Sequence, residues 1–429
     1  MEYQEAVAYI YEIPKFSSKH SLDYTRDFLH RLGDPQKQFE TIHVAGSNGK
    51  GSVCAMIHSV LFTSGVRVGL FTSPHLVHLT ERFVVNGEKV EEETFLRAFH
   101  KVKNVVDDMV KEGASHPTFF EFIFAVGMVI FREAKVDMAV IETGLGGRLD
   151  ATNVLRKPFA TVITSISLEH TEYLGDTLQK IASEKAGILK QGVPVIFDAK
   201  IREVADVIFA AARPLKAPTY PVYPGDIEIV SRGQDGISFV FDLDGHKKPV
   251  KIPFVADYQV ENAALAMEVC ELLIKRGTIS LESFYKGMSK VQWQGRMQKI
   301  DENIYLDGAH NPDGMKQFVA CVSQMKEKPR RLLFSMVKEK DATLSISILS
   351  RGLAFSKIVV TEIEGARKLS ASWMAEEFKK HTHAEVIVEP SPVKAFDAVK
   401  KGAEGETIFC TGSLYLIGEI LKIKEDYHD

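Results

Sequence analysis

The sequence predicts an α/β protein of two parts, each built on a mostly parallel sheet that helices cover. Three observations carry this prediction. The chain has 429 residues, too many for one ordinary hydrophobic core. Apolar strand-like segments alternate with helical ones over residues 39–200, which is typical of helix-covered parallel sheets. A second series of the same kind begins near residue 300. We therefore predict a domain of residues 1–297 and a smaller Rossmann-like α/β domain of residues 298–429.

The first domain opens with a helix, a loop and a second helix at 21–32, which a Gly-Asp-Pro sequence ends. Its predicted strands share an apolar composition and have helical segments between them. They are 39–45, 66–72, 136–143, 160–165 and 193–197. Residues 227–243 instead alternate with period two around a Gln-Asp-Gly turn, which predicts an antiparallel hairpin at the edge of the main sheet.

The second domain follows a long helix that begins near Val260. Its predicted strands again alternate with helical segments. They are 304–307, 331–336, 357–362, 384–388 and 407–411.

Composition excludes several classes of protein. The net charge is −4, which argues against a surface that neutralises nucleic-acid phosphates. We see no signal peptide and no apolar stretch of the roughly 20 residues that a membrane span needs, so we expect a cytoplasmic protein. The four cysteines lie far apart, which favours buried reduced thiols over disulfides or a zinc site.

The strongest single motif is the glycine-rich sequence 43–52, HVAGSNGKGS, between a predicted strand and a predicted helix. Glycines let backbone N–H groups approach phosphate oxygens, and a helix N-terminus with Lys50 adds positive potential. Ser52 could offer its hydroxyl to Mg²⁺. The general pattern is matched imperfectly, because Val44 replaces the first glycine and Gly51 separates the lysine from the serine. The alternative is a glycine-rich turn with a solvated lysine.

The phosphate loop and eight further motifs resemble, in order, those of the Mur ligase superfamily. The motifs are SNGKGS (47–52), FTSPHL (71–76), FFEF (119–122), ETGLGGRLDATN (142–153), EH (169–170), SEKAGI (183–188), GR (295–296), LDGAHNPDG (306–314) and TGSLYL (411–416). The peptidoglycan members carry a further domain of about a hundred residues before this loop, and only about 45 residues precede it here. The chain therefore resembles the folylpolyglutamate synthase and dihydrofolate synthase branch, which implies a P-loop domain followed by a C-terminal ligase domain.

The resemblance implies a Mg²⁺ site with two ions. Glu142, Ser73 and His170 would bind the metal, and Lys185 would be carbamylated to hold or orient it. Each residue has a simpler reading when taken alone: a strand-end glutamate, a turn serine, a structural histidine and a helix-surface lysine. Imidazole is an unusual magnesium ligand, so the assignment of His170 rests on the family motif.

The resemblance also implies the ATP-binding residues. They are Gly49, Lys50, Gly51, Ser52, Asn262, Arg296 and Asp307, with His310 a weaker candidate. Catalysis would fall to Lys50, His170, Lys185 and Arg296. Without the family pattern, Asn262 is a helix cap and Arg296 a surface charge.

Two segments resemble the pterin-binding parts of bifunctional bacterial members. They contribute Thr118, Phe119, Phe120 and Glu121, and Leu149, Asp150 and Ala151. Phe120 would offer a stacking face and Asp150 a hydrogen-bond acceptor. The alternative is that 119–124 is the apolar start of a buried helix.

The predicted reaction transfers the γ-phosphoryl group of ATP to a carboxylate, and the amine of L-glutamate then displaces phosphate. Dihydropteroate and reduced folates are the predicted acceptors, which makes the enzyme bifunctional. Alternatives are a monofunctional folylpolyglutamate synthase, a P-loop phosphotransferase and a non-catalytic nucleotide-binding protein. The family precedent is monomeric and allows a K⁺ requirement, for which the sequence offers no readable site.

Overall fold

The computed structural model describes residues 2–13, 20–242, 245, 247–325, 328–365 and 367–426. The chain divides into two compact units. The first comprises Met1–Arg232, Ser238–Pro253 and Gln259–Gln292, and the second comprises Gly233–Ile237, Phe254–Tyr258 and Trp293–Asp429. The continuous part of the second unit thus starts shortly before the predicted boundary after residue 297.

The first unit is built on an eight-stranded sheet. In chain order its strands are β1 (Glu40–Ala45), β2 (Val68–Phe71), β3 (Phe83–Val85), β4 (Glu88–Lys89), β5 (Met138–Glu142), β6 (Ala160–Ile163), β7 (Val195–Asp198) and β8 (Thr219–Val222). Their spatial order is β4-β3-β2-β5-β1-β6-β7-β8. Six of them are parallel, and the short β3 and β4 add an antiparallel edge next to β2. The predicted mostly parallel α/β fold is confirmed.

Helices follow most of these strands. They are α1 (Tyr3–Glu12), α2 (Leu22–Arg31), α3 (Lys50–Thr63), α4 (Glu92–Lys111), α5 (Phe119–Glu133), α6 (Thr171–Leu174), α7 (Leu178–Ala186), α8 (Arg202–Ala212), α9 (Tyr258–Lys275) and α10 (Leu281–Lys290). The sequence of α5, FFEFIFAVGMVIFRE, is apolar on nearly every side, and almost all of this helix is buried. A helix of that composition belongs inside a core, and α5 packs in one cluster with α4 and the β5 residues Ala139 and Ile141.

The register of the central strands decides where the candidate site forms. Val44 of β1 lies beside Glu142 of β5 and beside Val162 of β6. The carboxyl ends of β1, β5 and β6 therefore meet at one edge of the sheet. Open α/β sheets bind their ligands at that edge.

The hairpin prediction for residues 227–243 is wrong in its placement. The segment forms β9 (Glu228–Gly233) and β10 (Gly236–Val240), which join β11 (Val250–Ile252) in a separate three-stranded sheet of order β11-β10-β9. The edge of the main sheet is instead occupied by β8, whose four residues include Pro221. Proline is tolerated on an edge strand because no neighbour needs its N–H.

The second unit carries a six-stranded sheet of order β12-β13-β17-β14-β15-β16. Its strands are β12 (Gln298–Asp301), β13 (Ile304–Leu306), β14 (Arg330–Phe334), β15 (Lys357–Val360), β16 (Glu385–Val388) and β17 (Thr407–Thr411). Its helices are α11 (Pro312–Ser323), α12 (Ala342–Gly352), α13 (Ala371–Lys379), α14 (Pro392–Lys400) and α15 (Leu414–Asp426). The strand β12 is antiparallel to β13, and the other neighbouring pairs are parallel, so this unit is the predicted smaller Rossmann-like sheet.

No helix in the described part of the chain is long and apolar enough to cross a membrane. All four cysteines are buried free thiols.

Candidate active site

The phosphate loop is held by the segment that follows β6. The Ser47 hydroxyl donates to the Ser167 carbonyl at 3.1 Å and accepts from the Ser167 N–H at 3.1 Å. The Thr164 hydroxyl donates to the Asn48 carbonyl at 2.7 Å. Gly46 could not be another residue, since its φ is +152° and a Cβ there would lie 1.8 Å from Thr164 Oγ1. These contacts therefore fix the conformation of the loop.

Two lysines converge on the Gly46 carbonyl. Lys50 Nζ donates to it at 2.9 Å and also to the Ser47 carbonyl at 3.1 Å. Lys185 Nζ donates to the same Gly46 oxygen at 2.7 Å and to Glu169 Oε1 at 2.9 Å. Lys185 is only 1% exposed. Lys50 begins α3 at the loop, whereas Lys185 arrives from α7, so the fold brings together lysines from distant parts of the sequence.

Burial lowers the pKa of Lys185 to about 8, with Glu169 opposing this shift and Lys50 adding to it. An ammonium loses its hydration when it is buried, which favours the neutral amine. A neutral amine is the form that reacts with CO₂. The structure thus supplies a cause for the low pKa that carbamylation of Lys185 requires.

Glu142 ends β5 and is 3% exposed. Its Oε2 accepts the Ser73 N–H at 3.0 Å, so two of the predicted metal ligands lie side by side. A carboxylate and a hydroxyl are the oxygen donors that Mg²⁺ prefers. His170 is the residue before α6, in a left-handed conformation with φ 47°.

The described residues contain no group of three His, Cys, Asp or Glu side chains placed to hold a metal ion. Mg²⁺ commonly keeps several waters and phosphate oxygens when only one or two carboxylates bind it. The donors Glu142 and Ser73 fit such a partly hydrated ion.

Asn262 lies against the phosphate loop. A Cβ on Gly49 would be 2.1 Å from Asn262 Oδ1. The amide of Asn262 donates from Nδ2 to Gln259 Oε1 at 3.0 Å, which turns Oδ1 towards Gly49. Gln259 is fully buried, and its own Nε2 has no hydrogen-bond partner among the described residues. The predicted nucleotide residue Asn262 therefore belongs to the loop's surroundings.

The predicted pterin residues of the first segment begin α5. The Thr118 hydroxyl accepts the Glu121 N–H at 3.3 Å, and Glu121 Oε2 accepts the Thr118 N–H at 2.7 Å, which is a capping box. Glu121 Oε2 also bonds His20 Nδ1 at 2.8 Å. Phe119 is buried, while the Phe120 ring lies on Gly144, where a Cβ would be 2.6 Å from Phe120 Cζ. The Phe120 ring thus contacts the chain two positions after the predicted metal ligand of β5.

In the second segment, Asp150 is 2% exposed and its carboxylate accepts hydrogen bonds on both oxygens. Oδ2 accepts the N–H groups of Gly144 at 3.0 Å and Leu145 at 2.8 Å. Oδ1 accepts the Thr152 N–H at 3.0 Å and the Thr152 hydroxyl at 2.6 Å. A carboxylate has about four lone-pair positions, so the chain itself fills those of Asp150. Its neighbours differ, since Leu149 is 46% exposed and Ala151 is buried.

In the second unit, Asp307 follows β13 and is 2% exposed. It accepts the Tyr258 hydroxyl at 3.0 Å and the N–H groups of Met297 and Ala309, each at 2.9 Å. Burial raises the pKa of Asp307, and the guanidinium of Arg296 opposes that shift.

Arg296 is half-buried and makes no hydrogen bond or ion pair with any described residue. Its charge acts on the buried carboxyl of Asp307, where it opposes the rise in pKa that burial causes. His310 Nδ1 bonds the Gly308 carbonyl at 2.8 Å, which makes Nδ1 the protonated nitrogen.

Comparisons with known proteins match this arrangement. Residues 44–270 match the Mur ligase middle domain, and residues 295–414 match the Mur ligase, glutamate ligase domain. The chain is 34% identical over 433 residues to the dihydrofolate synthase/folylpolyglutamate synthase of Bacillus subtilis, covering 98% of both chains. It is 32% identical to the folylpolyglutamate synthase of Lacticaseibacillus casei, again covering 98% of both. The chain belongs to the folylpolyglutamate synthase and dihydrofolate synthase family of Mur ligases.

A solved structure supports the same assignment. E. coli FolC in complex with DHPP and ADP superposes with a TM-score of 0.87 at 25% identity, covering 100% of this chain and 99% of that one. The predicted family is confirmed, and with it the predicted enzyme class, an ATP-dependent ligase.

Sequence reasoning missed three residues that contact predicted site residues. Glu169 belongs to the predicted EH motif, and its carboxylate pairs with Lys185. Gln259 and Tyr258 precede Asn262 on the same helix and orient Asn262 and Asp307. The polar residues at the start of this helix were the available signal, and their presence in the sequence could not indicate their partners.

Proposed function

We propose that this chain joins L-glutamate to folate substrates with the hydrolysis energy of ATP, and that it accepts both dihydropteroate and reduced folates. One observation carries the proposal: the phosphate loop, the Glu142 carboxylate and Lys185 meet at the carboxyl edge of one sheet. The names of the curated relatives supply the substrate class.

ATP binding is assigned to Gly49, Lys50, Gly51 and Ser52. The Lys50 ammonium now donates to two backbone carbonyls, and a phosphate would offer it a stronger, charge-assisted acceptor. The guanidinium of Arg296 is a group of the kind that binds phosphate in two-point contacts. Asn262, Asp307 and His310 are proposed as further nucleotide contacts.

Mg²⁺ is assigned to Glu142 and Ser73, with His170 and a carbamylated Lys185 completing the set and two ions as the proposed number. The metal, when bound, would neutralise charge on the transferred phosphoryl group. Buried Lys185, with its pKa of about 8 and its amine therefore partly neutral, can add CO₂ and become an anion. Carbon-13 NMR in labelled CO₂ should then show a carbamate signal that Lys185→Met abolishes.

The reaction follows from these roles. A carboxylate oxygen of the folate substrate attacks the γ-phosphorus, the bond to the β-phosphate oxygen breaks, and ADP leaves. The glutamate amine then attacks the acyl carbon of the acyl phosphate, releases phosphate and loses a proton. Lys50 balances charge on the transferred group, which is the main task of a protein in phosphoryl transfer. The family motif that contains Arg296 supports a catalytic role for this residue as well.

Bifunctionality is supported by Phe120, whose ring borders the Glu142 strand end through Gly144. The carboxylate of dihydropteroate is attached directly to an aromatic ring, so a stacking partner for this substrate must lie close to the phosphoryl-transfer site. Thr118, Phe119 and Glu121 place the start of the same helix, while Leu149 and Ala151 flank Asp150.

We propose that the protein is a monomer.

The test incubates the protein with Mg-ATP, glutamate and either dihydropteroate or tetrahydrofolate, and identifies products by mass. Glutamate addition to both substrates supports the proposal. Addition to tetrahydrofolate alone would establish a monofunctional folylpolyglutamate synthase, and addition to neither would refute the proposed substrates.

A further inference from the structure

His43 lies on β1, just before the phosphate loop, and is completely buried. Its Nε2 is 2.8 Å from the Thr152 hydroxyl oxygen. Neither the metal nor the nucleotide assignments use this histidine. Its side-chain hydrogen bond leads to the segment that follows Glu142.

The direction of each hydrogen bond follows from the chemistry of the groups. Asp150 Oδ1 can only accept, so the Thr152 hydroxyl donates its single proton there, at 2.6 Å. The hydroxyl oxygen must then accept from His43, which makes Nε2 the protonated nitrogen. Burial lowers the pKa of His43 to about 3, and Lys190 contributes to this shift. The imidazole is therefore neutral and fixed in one tautomer.

The hydrogen bonds from His43 through Thr152 to Asp150 form a relay. It ends on the loop that follows Glu142 and that contacts the helix of Lys185. Asp150 Oδ2 holds the N–H groups of Gly144 and Leu145, which come directly after Glu142 and Thr143. Further on, Gly147 lies against the helix of Lys185, since a Cβ on Gly147 would be 2.9 Å from Lys185 Cα. The Arg148 N–H also donates to the Glu184 carbonyl at 2.7 Å.

We propose that His43 is a positioning residue: through Thr152 and Asp150 it fixes the 143–150 loop, and so the spacing between Glu142 and Lys185. The catalytic meaning of this role rests on the proposed function, whereas the positioning itself does not. Residues that orient metal ligands from behind commonly change metal affinity or activity by about 10- to 100-fold when they are replaced.

The test uses two matched pairs of variants. His43→Gln keeps an N–H donor at nearly the Nε2 position, and His43→Met has similar volume without the donor. Thr152→Ser keeps the hydroxyl, and Thr152→Val has the same shape without it. The first readout, independent of activity, is hydrogen exchange at the Gly144 and Leu145 amides. We expect faster exchange in His43→Met and Thr152→Val and near-wild-type exchange in His43→Gln and Thr152→Ser.

The second readout is steady-state kinetics at varied Mg²⁺. We expect His43→Met and Thr152→Val to lower kcat and to raise the half-saturating Mg²⁺ concentration by about 10-fold or more, with the KM for glutamate little changed. The double variant should be no worse than either single variant, because both break one relay.

Unchanged exchange at Gly144 and Leu145 in His43→Met would overturn the proposal, as would a His43→Gln variant no better than His43→Met. If the exchange pattern holds but the wild-type protein ligates no folate, the positioning role stands and the proposed function fails.

Discussion

The side-chain oxygen of Asn262 occupies the space that any side chain on Gly49 would need, because a Cβ there would be 2.1 Å from Asn262 Oδ1. Gly49 also has a φ of +88°, a conformation that favours glycine. Helix α9 therefore supports the phosphate loop directly, and two independent constraints act on one residue.

Gly49→Ala should weaken ATP binding, with a loss of kcat/KM on the order of 100-fold or more, because the loop or Asn262 must move. Gly65 is the matched control: its φ is +80°, yet no atom lies within 4 Å of its Cβ position. Gly65→Ala should carry the strain cost of about 1 kcal/mol while keeping ATP binding. Calorimetric titration with ATP compares the two variants, and equal affinities would contradict the role of Asn262.

Lys185 should make stability depend on pH above neutrality. Its pKa is about 8 in the folded chain and 10.5 for an ordinary lysine, so the unfolded chain binds more protons between these values. The buried lysine therefore destabilises the fold fully below about pH 8, and this penalty disappears as the pH rises towards 10.5. Urea unfolding in CO₂-free buffer should show wild type gaining free energy of unfolding relative to Lys185→Met across that window. A difference independent of pH would contradict the low pKa of Lys185.

Glu142→Gln should lower kcat about 100-fold or more and raise the half-saturating Mg²⁺ concentration, since losing one preorganised charge at a reacting phosphate has effects of that order. The amide oxygen of this variant can still accept the Ser73 N–H, so the fold should be retained. The control is Glu133→Gln, which weakens only the ion pairs of Glu133 with Lys101 at 2.6 Å and with Arg132 at 3.6 Å. Equal Mg²⁺ requirements in the two variants would exclude Glu142 as a metal ligand.

Asp150→Asn should lower the free energy of unfolding by about 1–3 kcal/mol, because an NH₂ group would face N–H or O–H donors in a buried site. Activity with dihydropteroate and with tetrahydrofolate should fall together. Asp108→Asn, at an exposed ion pair with Lys111, should change neither stability nor activity. Loss of dihydropteroate activity alone, with stability unchanged, would identify Asp150 as a pterin contact instead.

The sequence predicted the parts of this molecule that depend on local pattern. The β1–loop–α3 unit, the strand ending at Glu142 and most strands of both sheets were found because their apolar runs are bounded by glycine and polar turns. The hairpin at 227–243 was placed on the wrong sheet. Period-two alternation indicates that one face of a strand is exposed, but it does not indicate which strand lies next to it. The short strands β3, β4, β8, β11 and β12 lack a long apolar run and were missed.

Contacts between residues that are far apart in the chain could not be predicted from the sequence. The pairing of Lys185 with Gly46, of Asn262 with Gly49 and of His43 with Thr152 depends on tertiary packing. The capping box of Thr118 and Glu121 was the exception, since Thr-x-x-Glu before an apolar run is a local signature.

The central claim is that ATP activates a folate carboxylate for attack by glutamate. The most direct measurement supplies dihydropteroate with both carboxylate oxygens labelled with ¹⁸O, together with Mg-ATP and glutamate, and determines the mass of the released phosphate and of the product. The account predicts one ¹⁸O in each phosphate and one in the new amide, because the other oxygen leaves with phosphate from the acyl phosphate. Unlabelled phosphate, or phosphate release without a glutamylated product, would contradict it.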